Sequence, residues 1–372
     1  MDFRSNFQFD DKLIHLNNAG CTPLTMRATK AIQQAAQEHA ELGFHARPIF
    51  TKRLVESRVT AANFLGTKPD YVAMAQNCAT AISTVAHGLS YKKDDEILTW
   101  DQEYPSNAYI WHSVSKLQGA KVVVLQSEKN FEMNLDLMLS KINKRTRVVA
   151  ISWVQSVAGT IIELKPLLQA CEKVGAWLVV DAFQGLGVLP FQMSDYPGIV
   201  VTTGTQKWMC GPLGHGYLAF SDDRYRELNL VLQGAMTFGG SDQTVIDQNP
   251  VPSAARFEPG TPLMLTAFGA AASIECIQEF GIEKIRTKNI LLRDRLVSGL
   301  DKLDAEILGT RDSRKSAPHV TFIPRKSIAD CEKSLLEKQI SYVTKAKGFR
   351  LSPHAFNTPE EIDQALECFK GK

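Results

Sequence analysis

The sequence lacks the features that would direct it to a membrane, to nucleic acid or out of the cell. No apolar run approaches the roughly 20 residues that span a bilayer, and the N-terminal stretch MDFRSNFQFDDKLIHL has no apolar core of a secretory signal. The formal net charge of +2 is too balanced to indicate a nucleic-acid or anionic-membrane partner. These absences predict a cytoplasmic protein with no nucleic-acid and no membrane partner.

The cysteines and histidines also lack a recognisable pattern. There are seven cysteines, an odd number, and they are scattered without a CxxC pair or a Cys/His ligand spacing. A disulfide framework or a zinc site would need such spacings. The sequence therefore predicts reduced thiols and no bound metal.

What the sequence does contain is a long alternation of strand and helix patterns. At 372 residues the chain is long enough for two domains. Runs such as AWLVVDAF and GIVVTT are nearly all apolar, as is typical of strands buried on both faces. The helical pattern Leu164–Val174 separates AWLVVDAF from the preceding strand pattern, Arg147–Val154. This alternation predicts an α/β fold with a doubly wound, mostly parallel sheet, whose ligands bind beyond the carboxyl ends of the strands.

The pattern changes after Gly260. A helical segment from about Pro262 to Leu303 is interrupted at Gly281, and short strands (PHVTFI, ISYVT, FRLSP) and a helix from Thr358 follow. This change predicts a second, smaller α+β domain. The predicted division is an N-terminal arm that packs on the small domain, a large domain and a small C-terminal domain, at residues 1–15, 16–262 and 263–372.

Four predicted strand ends carry chemically useful groups. Asp181 ends one strand, Lys207 follows the next, Tyr104 follows EILTW, and the first strand leads into AQNCATA, which opens a helix. A charge is costly to bury without a partner, so Asp181 is not expected to serve only the core. Lys207, in TTGTQKWMCGP, has no charged neighbour in sequence, which favours the neutral amine.

This set of groups fits the cofactor pyridoxal phosphate. That cofactor needs a lysine for a Schiff base, an acid beside the pyridine nitrogen, a flat group over the ring and an anion site for the phosphate. A helix N-terminus supplies free N–H groups and a favourable dipole for a phosphate. A single lysine is more often a surface residue, but with Asp181 and the other strand ends Lys207 is predicted to carry the Schiff base.

The chain resembles the class V aminotransferases, the pyridoxal-phosphate family that includes cysteine desulfurases, selenocysteine lyases and isopenicillin epimerase-like proteins. The matching motifs are LNNAG, QNCATAIS, EYPSNAYIW, SWVQSVAG, VDAFQGLG, TQKWMCGPLG, RFEPGTP and RLSPHAFNT. They run in order from Leu16 to Thr358, nearly the whole chain. The resemblance implies fold type I of the pyridoxal-phosphate enzymes, with the cofactor in the large domain, and a homodimer with sites shared across the interface.

The resemblance also implies the roles of individual residues. Lys207 would form the Schiff base, Asp181 would pair with the pyridine nitrogen, and Tyr104 would stack on the ring. The other implied cofactor contacts are Cys78, Ala79, Thr80, Gln184, Thr205, Gln206 and Thr261, the last reaching the phosphate of the other subunit. The implied substrate contacts are Asn18, Ala19, Ser156 and Arg350, whose planar guanidinium suits a substrate carboxylate.

The predicted activity is that of an enzyme acting on an amino acid through an external aldimine, by transamination or by C–S β-elimination. Two alternatives stay open: an amino-acid racemase or epimerase, and a non-catalytic pyridoxal-phosphate-binding sensor.

Persulfide-forming desulfurases carry a nucleophilic Cys just before the substrate-binding Arg, and SYVTKAKGFRLSPH contains none. Cys21, Cys78 and Cys210 fall within active-site motifs and are predicted to be small buried thiols. Any sulfur chemistry is therefore expected to be direct β-elimination.

Overall fold

A computed structural model describes residues 2–10, 12–239 and 249–371 of the chain. The helices of these residues, in chain order, are α1 (Met26–Leu42), α2 (Arg47–Leu65), α3 (Cys78–Gly88), α4 (Pro105–Gln118), α5 (Leu135–Lys141), α6 (Leu164–Val174), α7 (Met264–Phe280), α8 (Ile282–Lys302), α9 (Ile328–Glu337) and α10 (Pro359–Glu367). The strands are β1 (Ile14–His15), β2 (Val72–Ala75), β3 (Glu96–Trp100), β4 (Lys121–Leu125), β5 (Thr146–Ser152), β6 (Trp177–Asp181), β7 (Ile199–Gly204), β8 (Gly216–Phe220), β9 (Glu306–Leu308), β10 (Val320–Ile323), β11 (Ile340–Ser341), β12 (Val343–Lys345) and β13 (Gly348–Leu351).

The large sheet has seven strands in the order β2-β8-β7-β6-β5-β3-β4. Strands β4, β3, β5, β6 and β7 are parallel, and β8 is antiparallel to both of its neighbours. The mostly parallel α/β sheet predicted from the sequence is thus confirmed. Because five parallel strands end at the same edge, the groups that follow them are brought close together.

The central strands are apolar throughout because both of their faces are covered. On β5, Val149 and Ile151 belong to one apolar cluster together with Leu167 of α6. Val148 and Ala150 point the other way, into a second cluster with α3 and α4. Successive residues of a strand face opposite sides of the sheet, so a strand between two helical layers needs apolar residues at every position.

Helix boundaries follow local signals at most positions. The predicted helix Leu164–Val174 ends at Gly175, whose φ of 72° suits a glycine cap, and the predicted break at Gly281 separates α7 from α8. Helix α2 begins at Arg47 and includes Pro48 in its first turn. Proline is tolerated in the first turn of a helix, where its missing N–H has no intrahelical partner.

The C-terminal part forms a four-stranded antiparallel sheet in the order β12-β13-β10-β9, with its own apolar cluster. The N-terminal residues contact this part, since β1 pairs with β11 and Arg4 bonds to Glu361 at 2.8 Å. The division into an arm and two domains stays a prediction. The fold positions the site by placing β13 opposite the carboxyl edge of the large sheet.

Candidate active site

The carboxyl edge of the large sheet brings together the lysine and the tyrosine that the sequence singled out. Lys207 follows β7, and Tyr104 is the N-cap residue of α4, after β3. The Lys207 Nζ lies 5.5 Å from the centroid of the Tyr104 ring and 3.9 Å from that of Phe183. An amine next to two aromatic rings has less contact with water than the amine of an ordinary surface lysine.

The charge state of Lys207 is shifted toward the neutral amine. Burial lowers its pKa to about 8, although the negative charge of Asp181 acts in the opposite direction, and the positive charge of Arg350 lowers it further. Desolvation disfavours the charged form of an amine, and a neutral amine is the nucleophile and the base. Lys207 therefore has a substantial neutral fraction close to neutral pH.

Asp181 is a buried carboxylate with few partners. It ends β6, it is 7% exposed, and its Oδ1 accepts a bond from the Phe183 N–H at 2.9 Å. Burial raises its pKa, while the Phe183 N–H and the charge of Lys207 lower it. A buried acid in this state is stabilised by a further N–H donor, which the nitrogen of a protonated pyridine ring would supply.

The first turn of α3 is the candidate phosphate site. Asn77 caps this helix, and its Oδ1 accepts bonds from the Thr80 N–H and the Thr80 hydroxyl, both at 2.9 Å. The N–H groups of Cys78 and Ala79 have no acceptor among the residues that the structure describes. Free N–H groups at a helix N-terminus favour an anion, whereas the Thr80 N–H is already engaged with Asn77.

The predicted cofactor contacts Gln206 and Thr205 differ in whether their side-chain polar atoms are free to bind a ligand. The Gln206 Oε1 is buried and has no hydrogen-bond partner within the part of the chain that the structure describes. The Thr205 hydroxyl, in contrast, donates to the carbonyl of Pro212 at 2.8 Å and so serves the turn that follows Lys207. The Thr205 contact to the phosphate stays a prediction, with its hydroxyl proton engaged elsewhere.

The amide of Gln184 is held from both ends. Its Nε2 donates to the carbonyl of Ala19 at 3.0 Å, and its Oε1 accepts a bond from the Trp208 indole at 2.7 Å. An amide nitrogen carries two N–H groups, so one of them stays available to a ligand. The predicted contact of Gln184 with the ring hydroxyl is compatible with this arrangement.

Pyridoxal phosphate fits these residues, because the region holds buried polar atoms that have no hydrogen-bond partner in residues 2–10, 12–239 and 249–371. Buried polar groups are normally hydrogen-bonded. The unpaired atoms in or next to the predicted site residues are Asn17 Oδ1, Asn18 Oδ1, Gln155 Oε1, Gln206 Oε1, His319 Nδ1 and Arg350 Nε. A polar ligand would supply hydrogen-bond partners to these atoms and to the free N–H groups in the first turn of α3.

The predicted substrate contacts meet near β13. Arg350 is 4% exposed, and its Nη1 donates to the carbonyl of Ser156 at 3.0 Å. The Ala19 N–H donates to the Ser352 hydroxyl at 3.0 Å, and the Asn18 amide donates to the Ser352 carbonyl at 2.8 Å. Burial lowers the pKa of Arg350 to about 10. All four predicted residues thus belong to one region of the structure.

Sequence inspection missed Glu103, a buried acid beside Tyr104. Its carboxylate accepts bonds from the Ser152 N–H at 2.8 Å, the Asn107 amide at 2.8 Å and the Gln155 amide at 3.2 Å. These bonds fix the loop before Tyr104 to the end of β5. A Glu directly after an apolar strand, in DQEYPSN, was the signal that could have revealed it.

Phe183 and Lys345 were also missed. Phe183 lies two residues after Asp181, so the motif VDAFQGLG contained it without marking it. Lys345 donates to the Ser156 hydroxyl at 2.7 Å, and its Nζ is 6.0 Å from the centroid of the Tyr104 ring. In the sequence it stands in TKAKG, which is typical of a solvated turn.

The thiols of the site are held in their protonated form. Burial raises the pKa of Cys78 well above its usual value, with Asp181 adding to the effect, and burial does the same for Cys210. Cys21 is exposed, contrary to the prediction of a buried thiol, and partial burial of its sulfur still raises its pKa. A nucleophilic cysteine needs a lowered pKa.

Thr261 lies at a cavity beside the first turn of α3. It is exposed on the single chain and lines a cavity of about 310 Å³ together with Gln76 and Thr80. Its predicted contact to the phosphate of another subunit stays a prediction.

Of the helices in the described part of the chain, none is both long and apolar enough to cross a membrane. Within residues 2–10, 12–239 and 249–371, no group of three or more His, Cys, Asp or Glu is placed to hold a metal ion.

Comparisons with known proteins agree with the geometry. A probable cysteine desulfurase of Pyrococcus abyssi is 28% identical over 98% of this chain and 95% of its own. The apo structure of a cysteine desulfurase from Thermococcus onnurineus NA1 matches with a TM-score of 0.91 at 24% identity, covering 98% of this chain and 96% of that one.

C-DES, described as a cystine C–S lyase, is also similar in structure. Its form with glycine covalently linked to the PLP cofactor matches with a TM-score of 0.89 at 22% identity over 98% of both chains. These structural likenesses confirm the predicted fold. The family model for aminotransferase class-V matches residues 14–364. The chain therefore belongs to the class V aminotransferases, a family of pyridoxal-phosphate enzymes.

Proposed function

We propose that this protein is a pyridoxal-phosphate lyase that cleaves the Cβ–S bond of a cysteine-derived amino acid by direct β-elimination. The observation that carries this proposal is the pairing of a base with inert thiols. Lys207 has a pKa of about 8, while burial raises the pKa of Cys78 and Cys210 beside it. Such a site favours proton transfer over sulfur transfer to the protein.

The chain's own residues would hold the cofactor in a defined orientation. When bound, pyridoxal phosphate supplies an aldehyde for the substrate amine and a conjugated ring that accepts electrons released at the substrate Cα. Asp181 would keep a proton on the ring nitrogen, and the N–H groups of Cys78 and Ala79 would hold the phosphate. Tyr104 and Phe183 would limit access of water to Lys207.

The elimination needs one residue that moves protons and one that orients the substrate. Arg350 would bind the α-carboxylate, and Lys207 Nζ would take the proton from Cα. The Cβ–S bond then breaks with its electron pair going to sulfur, and the Lys207 ammonium returns the proton to that sulfur. Water completes the reaction to pyruvate and ammonia, with no net oxidation or reduction.

The name of a relative supports a sulfur amino acid as substrate, because the similar Pyrococcus abyssi protein is a probable cysteine desulfurase. The β12–β13 hairpin before Arg350 supports elimination without a protein persulfide. Its turn is Ala346–Lys347, and it contains no cysteine. The predicted homodimer and the cytoplasmic location belong to this proposal as well.

The test is a search for sulfur bound to the protein during turnover. The holoenzyme is incubated with L-cysteine or L-cystine, quenched, alkylated and mapped by mass spectrometry, and the Cys21→Ser and Cys210→Ala variants are assayed in parallel. We expect turnover in both variants and no stoichiometric persulfide. A persulfide on Cys21 or Cys210 that turnover requires would contradict the proposal.

A further inference from the structure

The β12–β13 hairpin places two cations on the same face. Val343 is paired with Arg350, and Lys345 is paired with Gly348. Residues directly opposite in an antiparallel pair share a face, and so do residues two apart on one strand. Val343, Arg350 and Lys345 therefore lie on one face, with the two basic side chains diagonal to each other.

Both cations converge on Ser156. The Lys345 Nζ donates to the Ser156 hydroxyl at 2.7 Å, and the Arg350 Nη1 donates to the Ser156 carbonyl at 3.0 Å. Neither cation pairs with a carboxylate among the residues that the structure describes: apart from burial, the groups that shift their pKa values are Tyr104 and other cations. Asp181 balances one charge of this region, that of Lys207.

Two neighbouring cations without an acid are costly to bury. Burial and the charges of Arg350 and Lys207 lower the pKa of Lys345 to about 8, which shows how strongly the site disfavours the added charge. An anion between the two cations would relieve both the desolvation and the repulsion. A single substrate carboxylate engages one guanidinium in a bidentate pair and leaves Lys345 without a counter-charge among the described residues.

We infer that Lys345 binds a second anionic group, so that the substrate is an amino acid whose side chain ends in a carboxylate, sulfinate or sulfonate. The inference rests on the proposed function only in taking an amino acid as substrate and Arg350 as the site of its α-carboxylate. Lys345 then acts as a specificity residue, which selects dianionic amino acids over neutral ones.

The test uses ligands that bind but cannot react, because they carry no amine. Binding of succinate, glutarate and adipate to the holoenzyme is compared by calorimetry with binding of their monoamides, which have nearly the same shape and one charge less. We expect the best dicarboxylate to bind about tenfold or more tightly than its monoamide. Lys345→Met should abolish this preference, and Lys345→Arg should keep it.

Lys347→Met is the matched control, because it removes the same charge from the exposed turn of the same hairpin. It should leave the preference unchanged. An equal affinity of the wild type for dicarboxylates and monoamides, or a preference that persists in Lys345→Met, would overturn the inference. If Lys345→Met does not fold, the inference is tested by the ratio of the dicarboxylate and monoamide affinities in the wild type and in Lys345→Arg. Since nothing turns over, the ratio is independent of which products the enzyme forms.

Discussion

At the scale of single residues, the account depends on the environment of the Lys207 amine. Burial and the positive charge of Arg350 lower its pKa to about 8, against the opposing charge of Asp181. We therefore predict that, in the protein freed of cofactor, the rate of Schiff-base formation with pyridoxal phosphate rises with pH and levels off above about 8, whereas an ordinary lysine needs a pH near 10.4. Stopped-flow absorbance measures the rate.

The rate rises with pH because only the neutral amine attacks the aldehyde, and the neutral fraction of Lys207 grows as the pH rises through its pKa. Lys207→Ala provides the baseline. Borohydride reduction followed by peptide mapping identifies the lysine that reacts. A label on another lysine, or a midpoint near 10, would contradict the assignment.

Asp181 gives a second prediction at this scale. Asp181→Asn keeps the shape of the side chain but removes the charge that would hold a proton on the ring nitrogen. We expect kcat to fall on the order of 100-fold, while the affinity for the cofactor changes much less because α3 still holds the phosphate. Equal losses of turnover and of cofactor affinity, measured by titration, would show that Asp181 is mainly structural.

The sequence identified some of these residues and not others for a physical reason. Asp181 and Lys207 follow apolar strands, so their place at the sheet edge could be predicted from local pattern. Lys345 ends β12, just before the turn, and its partial burial comes from the register of β12 with β13 and from contact with Ser156, about 190 residues away in sequence. Long-range contacts of that kind leave no local signature.

At the scale of elements, the turn of the β12–β13 hairpin is under strain. Ala346 and Lys347 have φ angles of 50° and 64°. A two-residue turn of this kind favours Asn or Gly. We predict that Lys347→Gly raises the free energy of unfolding by about 0.5 to 1 kcal/mol, because glycine adopts positive φ without a steric penalty. Denaturant unfolding measures the change.

Thr344→Gly is the matched control, since Thr344 is an exposed residue within β12. That variant should be less stable than the wild type, because glycine weakens a strand. A loss of stability in Lys347→Gly similar to that of the control would show that the turn conformation is not strained.

Helices and strands were predicted best where a single sequence pattern determines them. The parallel strands were recognised because two helical layers make them apolar throughout. Strand β9 was missed because three residues are too few for a pattern. The two-residue turn of the hairpin breaks the local preference for Asn and Gly, so its geometry could not be predicted either.

At the scale of the whole molecule, the predicted homodimer can be tested through Thr261, which is exposed on the single chain. Lys207→Ala and Thr261→Asp are each expected to be inactive, the second because its carboxylate would repel the phosphate. If Thr261 serves the partner's site, a mixed dimer contains one site with neither substitution. We predict that co-refolding the two variants restores activity. Absence of any restoration in a mixed dimer verified by mass would place Thr261 in its own subunit's site.

The account's central claim is direct elimination at the Lys207 site, and the fate of the substrate carbon tests it most directly. The holoenzyme is incubated with L-cystine, which carries a second carboxylate, labelled with ¹³C at both Cβ atoms, and the products are followed by NMR together with an ammonia assay. The account predicts labelled pyruvate and ammonia in equal amounts. Labelled alanine, which a persulfide-forming desulfurase releases, would contradict it. So would a labelled keto acid that keeps the disulfide, from transamination, a labelled D-amino acid from racemisation, or binding without any product.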